Sequence, residues 1–228
     1  MIDRATWLAD IRRENEAQED ALADEFDQHW GEIGDLHRSF VGRFLDGLPP
    51  SGRVLDAACG TGKYFGMVLG SGRSVLGVDH AGAYLARAAE RFPDVPTDHL
   101  DLQELSYRDA FDGVMCVDAM EFVPPEDWPV VLQRFRDALH PGGSLYLTVE
   151  LHTEDELRAA NEAARGAGHP VVEGEVLWQD AGGDYYHHHP SMERVRSWLA
   201  SNGFELVDER EGPWDEGYAY HHLLCRSR

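Results

Sequence analysis

The sequence predicts an α/β fold: a mostly parallel sheet with helices on both faces. Short apolar runs at Val54-Leu55, Ser74 to Val78, Val114 to Val117 and Ser144 to Val149 alternate with segments of helical character, the pattern of successive strand–helix–strand units. The first run ends in a glycine turn, Gly60-Thr61-Gly62, that opens a helix. Hydrophobic residues make up 43% of 228 positions, enough for one core, and a chain of this length reads as a single domain, 1–228, with elaborations.

Leu22, Phe26, Trp30 and Ile33 recur at helical spacing, as do Leu36, Phe40, Val41, Phe44, Leu45 and Leu48 ahead of Pro49-Pro50, which predicts two helices before any strand. The first thirty residues carry nine acids against three arginines, so most of that stretch reads as a solvated helical face. Further helices are expected at Lys63 to Leu69, Ala81 to Arg91 and Glu126 to Leu139, with a weaker strand at Val95 to Leu100. After Glu150 the rhythm breaks into an acidic helical stretch, Glu154 to Arg165, a glycine-rich turn and the run Asp184-Tyr185-Tyr186-His187-His188-His189-Pro190. Ser191 is placed to cap a helix that ends at Asn202 and Gly203, and two closing strands follow at Phe204 to Val207 and Tyr218 to Cys225.

Composition excludes several partners. Forty-two Asp and Glu against twenty Lys and Arg leave a formal charge of −22 without a basic patch, which argues against nucleic acid and anionic membrane surfaces. No run approaches the roughly 20 apolar residues of a membrane span, and Met1 to Asn15 lacks the apolar core of a secretory signal, so a cytoplasmic location is expected. Three widely separated cysteines, Cys59, Cys116 and Cys225, fit neither a disulfide framework nor a zinc knuckle. The oligomeric state is not encoded in any pattern here.

Chemistry concentrates in Val54-Leu55-Asp56-Ala57-Ala58-Cys59-Gly60-Thr61-Gly62. Glycines after a buried strand let a ligand lie against bare backbone, and the following helix offers free N–H groups. The dinucleotide fingerprint would need glycine at 58, 60 and 63, where the chain has Ala58, Gly60 and Lys63. The second strand ends in Asp79, a carboxylate able to accept hydrogen bonds from both hydroxyls of a ribose. Turn and acid together specify a ribose-bearing ligand without a pyrophosphate.

These motifs, with Phe111-Asp112-Gly113-Val114 and Leu139-His140-Pro141-Gly142-Gly143 in that order, resemble the signatures of class I S-adenosylmethionine-dependent methyltransferases from about Leu48 to Glu150. The resemblance implies a Rossmann-like seven-stranded sheet of order 3-2-1-4-5-7-6 with only the last strand antiparallel, and S-adenosylmethionine as cofactor. It implies that Asp56 and the Ala58, Cys59, Gly60, Gly62 turn hold the methionine end, Asp79 the ribose, Asp101 and Leu102 the adenine, and that Asp118 lines the floor under the methyl. His80 is a neighbour of a matched position. Ala58 stands where the family usually has glycine, tolerable if its φ stays negative.

Transfer from a sulfonium needs positioning, and a base only when O–H or N–H must lose its proton. One of His152, His187, His188 and His189 is the expected base for a small-molecule acceptor, with the 1–48 helices and the 150–190 insertion as an expected lid over the acceptor site. The alternatives are a protein methyltransferase or a non-catalytic nucleoside-binding scaffold. In an extended segment His187 and His189 point one way and His188 the other. No HExxH or paired-cysteine spacing supports a metal site, and none is expected.

Overall fold

The computed structural model describes residues 3–180, 183–213 and 219–228. Three helices precede the first strand: α1 (Arg4–Leu22), α2 (Phe26–Trp30) and α3 (Asp35–Asp46). The Asp3 side chain caps α1 by accepting the Thr6 N–H. The alternating core follows: β1 (Arg53–Ala57), α4 (Phe65–Gly70), β2 (Ser74–Asp79), α5 (Gly82–Arg91), β3 (Thr97–His99), β4 (Phe111–Cys116), α6 (Trp128–Ala138) and β5 (Leu139–Leu151). Beyond it lie α7 (Glu154–Gly166), β6 (Glu175–Asp180), β7 (Gly183–His188), α8 (Met192–Ser201), β8 (Phe204–Pro213) and β9 (Ala219–Ser227). Ser191 caps α8 as expected, accepting the Arg194 N–H, and Gly203 beyond its end takes φ +80°.

Seven strands form one sheet in the order β3-β2-β1-β4-β5-β9-β8, and β9 runs antiparallel to both its neighbours. This is the expected topology once the β6–β7 hairpin, a separate two-stranded sheet, is set aside. That hairpin replaces the polar loop read from the histidine run. Its alternation survives: His187 faces Glu150, while His188 packs toward Trp128 and Trp198 on the other side.

One face of the sheet packs Leu55, Val114 and Leu147 against Trp128, Phe135 and Leu199 of α6 and α8. The other packs Val54, Met115 and Tyr146 against Phe40, Phe44 and Phe65 of α3 and α4. A third cluster joins Trp7, Leu8 and Ile11 of α1 to Ala164, Val171 and Tyr186. The charge-rich start of the chain therefore keeps most of its acids on a solvated face while its apolar face is buried. Arg4 fastens it, donating to Pro170 O at 2.8 Å and to the fully buried Glu175 carboxylate at 2.7 Å. Glu175 also accepts the Tyr186 hydroxyl at 2.6 Å.

His221 and His222, on β9, are both buried. A strand between two others, with helices on each face, has no outward side. His222 meets the Tyr146 hydroxyl at 2.9 Å, and His221 meets Glu209 at 2.8 Å. No helix of the described residues is long and apolar enough to cross a membrane, and all three cysteines are buried and free.

Candidate active site

The carboxyl ends of β1, β2, β4 and β5 open onto a cavity of about 510 Å3. Its first wall is backbone. Ala58, Gly60 and Gly62 all take positive φ, +62°, +53° and +78°. Ala58 thus departs from the negative φ expected of it, because the chain must reverse here for the Cys59 N–H to donate to Val78 O at 2.9 Å. A left-handed alanine costs about 1–2 kcal/mol. At Gly60 a Cβ would project into the cavity with only Phe26 at 3.9 Å, while at Gly62 it would strike the Phe65 ring at 2.7 Å. The first glycine therefore keeps the cavity open and the second lets the helix pack.

Asp79 braces this turn, its two oxygens accepting the Gly60 N–H at 2.8 Å and the Ala81 N–H at 2.9 Å. Burial, aided by the nearby Glu19 charge, pushes its carboxyl up to about 6. His80 pairs with Glu19 of α1. Burial alone would lower that imidazole, but the Glu19 contact outweighs it and raises the ring to about 9. Asp101 accepts the Gln103 N–H at 3.1 Å, which turns Leu102 into the wall beside it. At the floor Asp118, with φ +54°, meets His37 Nε2 at 3.0 Å and accepts the Thr148 hydroxyl at 3.2 Å.

The opposite wall is made of side chains: Glu121, Phe122, Glu150, His152, Trp178, Tyr185, His187 and Tyr220. Glu150 Oε2 lies 3.2 Å from His187 Nδ1, and its Oε1 lies 3.4 Å from His152 Nε2. Burial would raise this carboxyl, but the two imidazoles hold it well below the usual range, so it is a carboxylate. His189 sits behind it, buried, with burial lowering its ring to about 3. Glu121 is buried with one oxygen lacking a hydrogen-bond partner. Burial and the neighbouring Glu150 and Asp118 raise its carboxyl well above the ordinary value.

Of the residues singled out in the sequence, Ala58, Cys59, Gly60, Asp79, His80, Asp101, Leu102, Asp118, His152 and His187 line the cavity. Asp56, Gly62, His188 and His189 do not. Asp56 is sealed at the end of β1 with one oxygen unpartnered, and His188 is walled off by the indole rings. Glu19, Phe26, Tyr84 and Glu150 also line the cavity, and the sequence carries no signal for the first three. Glu19 and Phe26 sit in a stretch whose charge masks its role, whereas Glu150 was visible as an acid ending an apolar strand.

Residues 54–143 match the family model of a methyltransferase domain. That segment, from β1 to the start of β5, is similar to a methyltransferase domain, and the sheet shares its fold with solved S-adenosylmethionine-dependent methyltransferases. A curated relative of this methyltransferase segment, carboxy-S-adenosyl-L-methionine synthase of Chromohalobacter salexigens, is 33% identical over 90 residues. The match takes in 36% of this chain, and the chain spans about a third (33%) of that relative's length. Among solved structures, the 1,6-didemethyltoxoflavin-N1-methyltransferase of Burkholderia thailandensis, with its substrate and S-adenosylhomocysteine, superposes with a TM-score of 0.73 at 17% identity, covering 100% of this chain and 91% of that one. A S-adenosylmethionine-dependent methyltransferase of Methanosarcina mazei gives 0.70 at 18% identity, covering 86% and 98%. The cofactor of this methyltransferase class fits the residues present. The bare Gly60 edge leaves room that a side chain would fill, and the acids Asp79, Asp101 and Asp118 stand along one wall.

Proposed function

We propose that the protein transfers a methyl group from S-adenosylmethionine to an oxygen or nitrogen of a small-molecule acceptor. One observation carries this reading: a single cavity joins the bare turn and Asp79 to a second wall of Glu121, Glu150, His152 and His187. S-adenosylmethionine supplies a methyl on a sulfonium whose leaving group is neutral, so the protein's work is to bind, orient and exclude water. The 58–62 turn serves the methionine end with Asp56 buried behind it, Asp79 accepts from the ribose, Asp101 and Leu102 meet the adenine, and His80 keeps Glu19 of α1 over that edge. Asp118 fixes the floor through His37 and Thr148.

Of the four candidate bases, His152 and His187 reach the cavity, and one of them takes the acceptor proton. The size of the cavity and its aromatic second wall suit a small planar or amine-bearing acceptor. The structural neighbour named for a toxoflavin precursor supports that class. Residues 1–48 and 150–190 act as a lid through α1, α2 and the hairpin, whereas α3 packs under the sheet. Free buried cysteines fit a cytoplasmic site.

The test is calorimetry with S-adenosylmethionine and S-adenosylhomocysteine, followed by mass spectrometry of candidate acceptors. Binding with acceptor methylation is expected, as is slowed hydrogen exchange in both lid segments. Absence of binding at millimolar cofactor overturns the reading. Binding with a biological activity that survives loss of His152 and His187 favours a nucleoside-binding scaffold instead.

A further inference from the structure

The histidines and the carboxylate of the second wall are arranged in a way that proton transfer alone does not explain. Glu150 Oε2, His152 Nε2 and His187 Nδ1 are buried atoms that make no hydrogen bond of proper geometry, although they converge within a few ångströms. Their separations are 3.2 Å for His187 to Glu150, 3.4 Å for His152 to Glu150, and 3.9 Å for His189 Nδ1 to Glu150. The last is too long for a hydrogen bond. Ligand atoms bound at about 2.0–2.1 Å to one divalent ion stand about 3.0–3.4 Å apart in octahedral or tetrahedral geometry. His187 and Glu150 stand at such a spacing, His189 lies 3.9 Å from the same carboxylate oxygen, and one atom each from Glu150, His187 and His189 lies within 4.8 Å of the other two.

We propose that Glu150, His187 and His189 form a binding site for a borderline divalent cation such as zinc or iron(II), open toward the acceptor half of the cavity. Two imidazoles and one carboxylate are the donor set such ions take, and neither thiolate nor a cage of oxygens competes here. The sequence hides the site because its ligands come from the end of β5 and from a hairpin 37 residues on, not from one short motif. His187 and His189 reach the same side because alternate residues of an extended chain share a face. His189 Nδ1 also lies 3.5 Å from the Glu150 carbonyl oxygen, at the limit of a hydrogen bond, so a small ring rotation separates the two arrangements. Glu150 and His187 line the cavity, so the open coordination position faces it. An acceptor oxygen or nitrogen bound there would be oriented by the ion, with His152 left to receive its proton. That role rests on methyl transfer, whereas ion binding does not.

The experiment titrates the metal-free full chain with Co2+ as a visible probe of zinc-type sites, with S-adenosylhomocysteine calorimetry on the same samples. One Co2+ per chain is expected, with a d–d band and a concentration-dependent rise in Tm. Binding should weaken on the order of 100-fold in Glu150→Gln and in His187→Gln, while His99→Ala binds Co2+ as the parent does and all variants keep S-adenosylhomocysteine. Stoichiometric Co2+ with equal affinity in Glu150→Gln or His187→Gln overturns the site, and so does a parent chain whose spectrum and melting are unchanged by Co2+. The latter measurement needs no variant to fold. Retained S-adenosylhomocysteine binding without Co2+ binding in the parent removes the metal and leaves the methyltransferase reading standing.

Discussion

Around Asp79 the cavity wall is backbone held by a carboxylate, whereas around Glu150 it is side chains held by one another. The first wall is assembled within residues 58–81, where the positive-φ turn, the Cys59 to Val78 bond and the two N–H bonds to Asp79 follow from local chain geometry. The second draws on the 120s turn, the end of β5, the hairpin and β9, elements far apart in sequence. Local backbone leaves little room for change without losing the turn. A wall of side chains can be rebuilt on the same sheet without disturbing the turn.

If the two walls are separable, changes in the second should alter turnover and spare cofactor affinity. The largest expected effect is His152→Ala with a working acceptor: turnover falls about 10²–10⁴-fold, with the S-adenosylmethionine Kd unchanged by calorimetry. A fall in both would show that the walls are coupled. Next is Asp79→Ala, which removes the ribose acceptor and the brace of the Gly60 N–H together. Affinity should drop by about 1.5–3 kcal/mol for each charge-assisted bond left unmade, and isothermal titration measures it. A turnover defect at saturating cofactor with intact affinity would reverse the assignment of that wall.

The same carboxyl gives a pH dependence. Free Asp79 titrates at about 6, and ribose hydroxyls donate to its ionised form. Binding therefore favours the deprotonated state: affinity is flat above pH 6 and weakens about tenfold per unit as pH falls below it. Calorimetry between pH 5 and 8 checks the sign, and an affinity that rises on acidification would remove Asp79 from the ribose. The smallest effect is Ala58→Gly. Relief of the left-handed alanine, less the extra backbone entropy of glycine, should stabilise the chain by about 1 kcal/mol, seen as about 2–4 °C in Tm.

The same division governed what could be read in the sequence. The turn of Val54 to Gly62 and the acid at Asp79 are legible because their geometry is local, and the strand order follows from motifs in series. The φ of Ala58 was misjudged, since its sign depends on how Cys59 reaches across to β2. Glu121 and His152 were visible only as residues after strands. The hairpin was read as loop because its tyrosines and histidines lack the apolar alternation of a strand, yet Tyr186 is buried by Trp7 from the far end of the chain. His188 looked equal to its neighbours in sequence, and only the indoles of Trp128 and Trp198 set it apart.

Arg4 carries a consequence for movement as well as for position. It joins α1 to the hairpin through the buried Glu175, while Glu19 near the other end of that helix and Asp24 just beyond it are held by His80 and Arg87. A helix pinned at both ends cannot yield at one wall without loading the other. Release of Arg4 would strand a buried carboxylate, and breaking such a pair costs about 3–5 kcal/mol. The contacts at its two ends therefore tie any movement of α1 at the turn to movement at the hairpin.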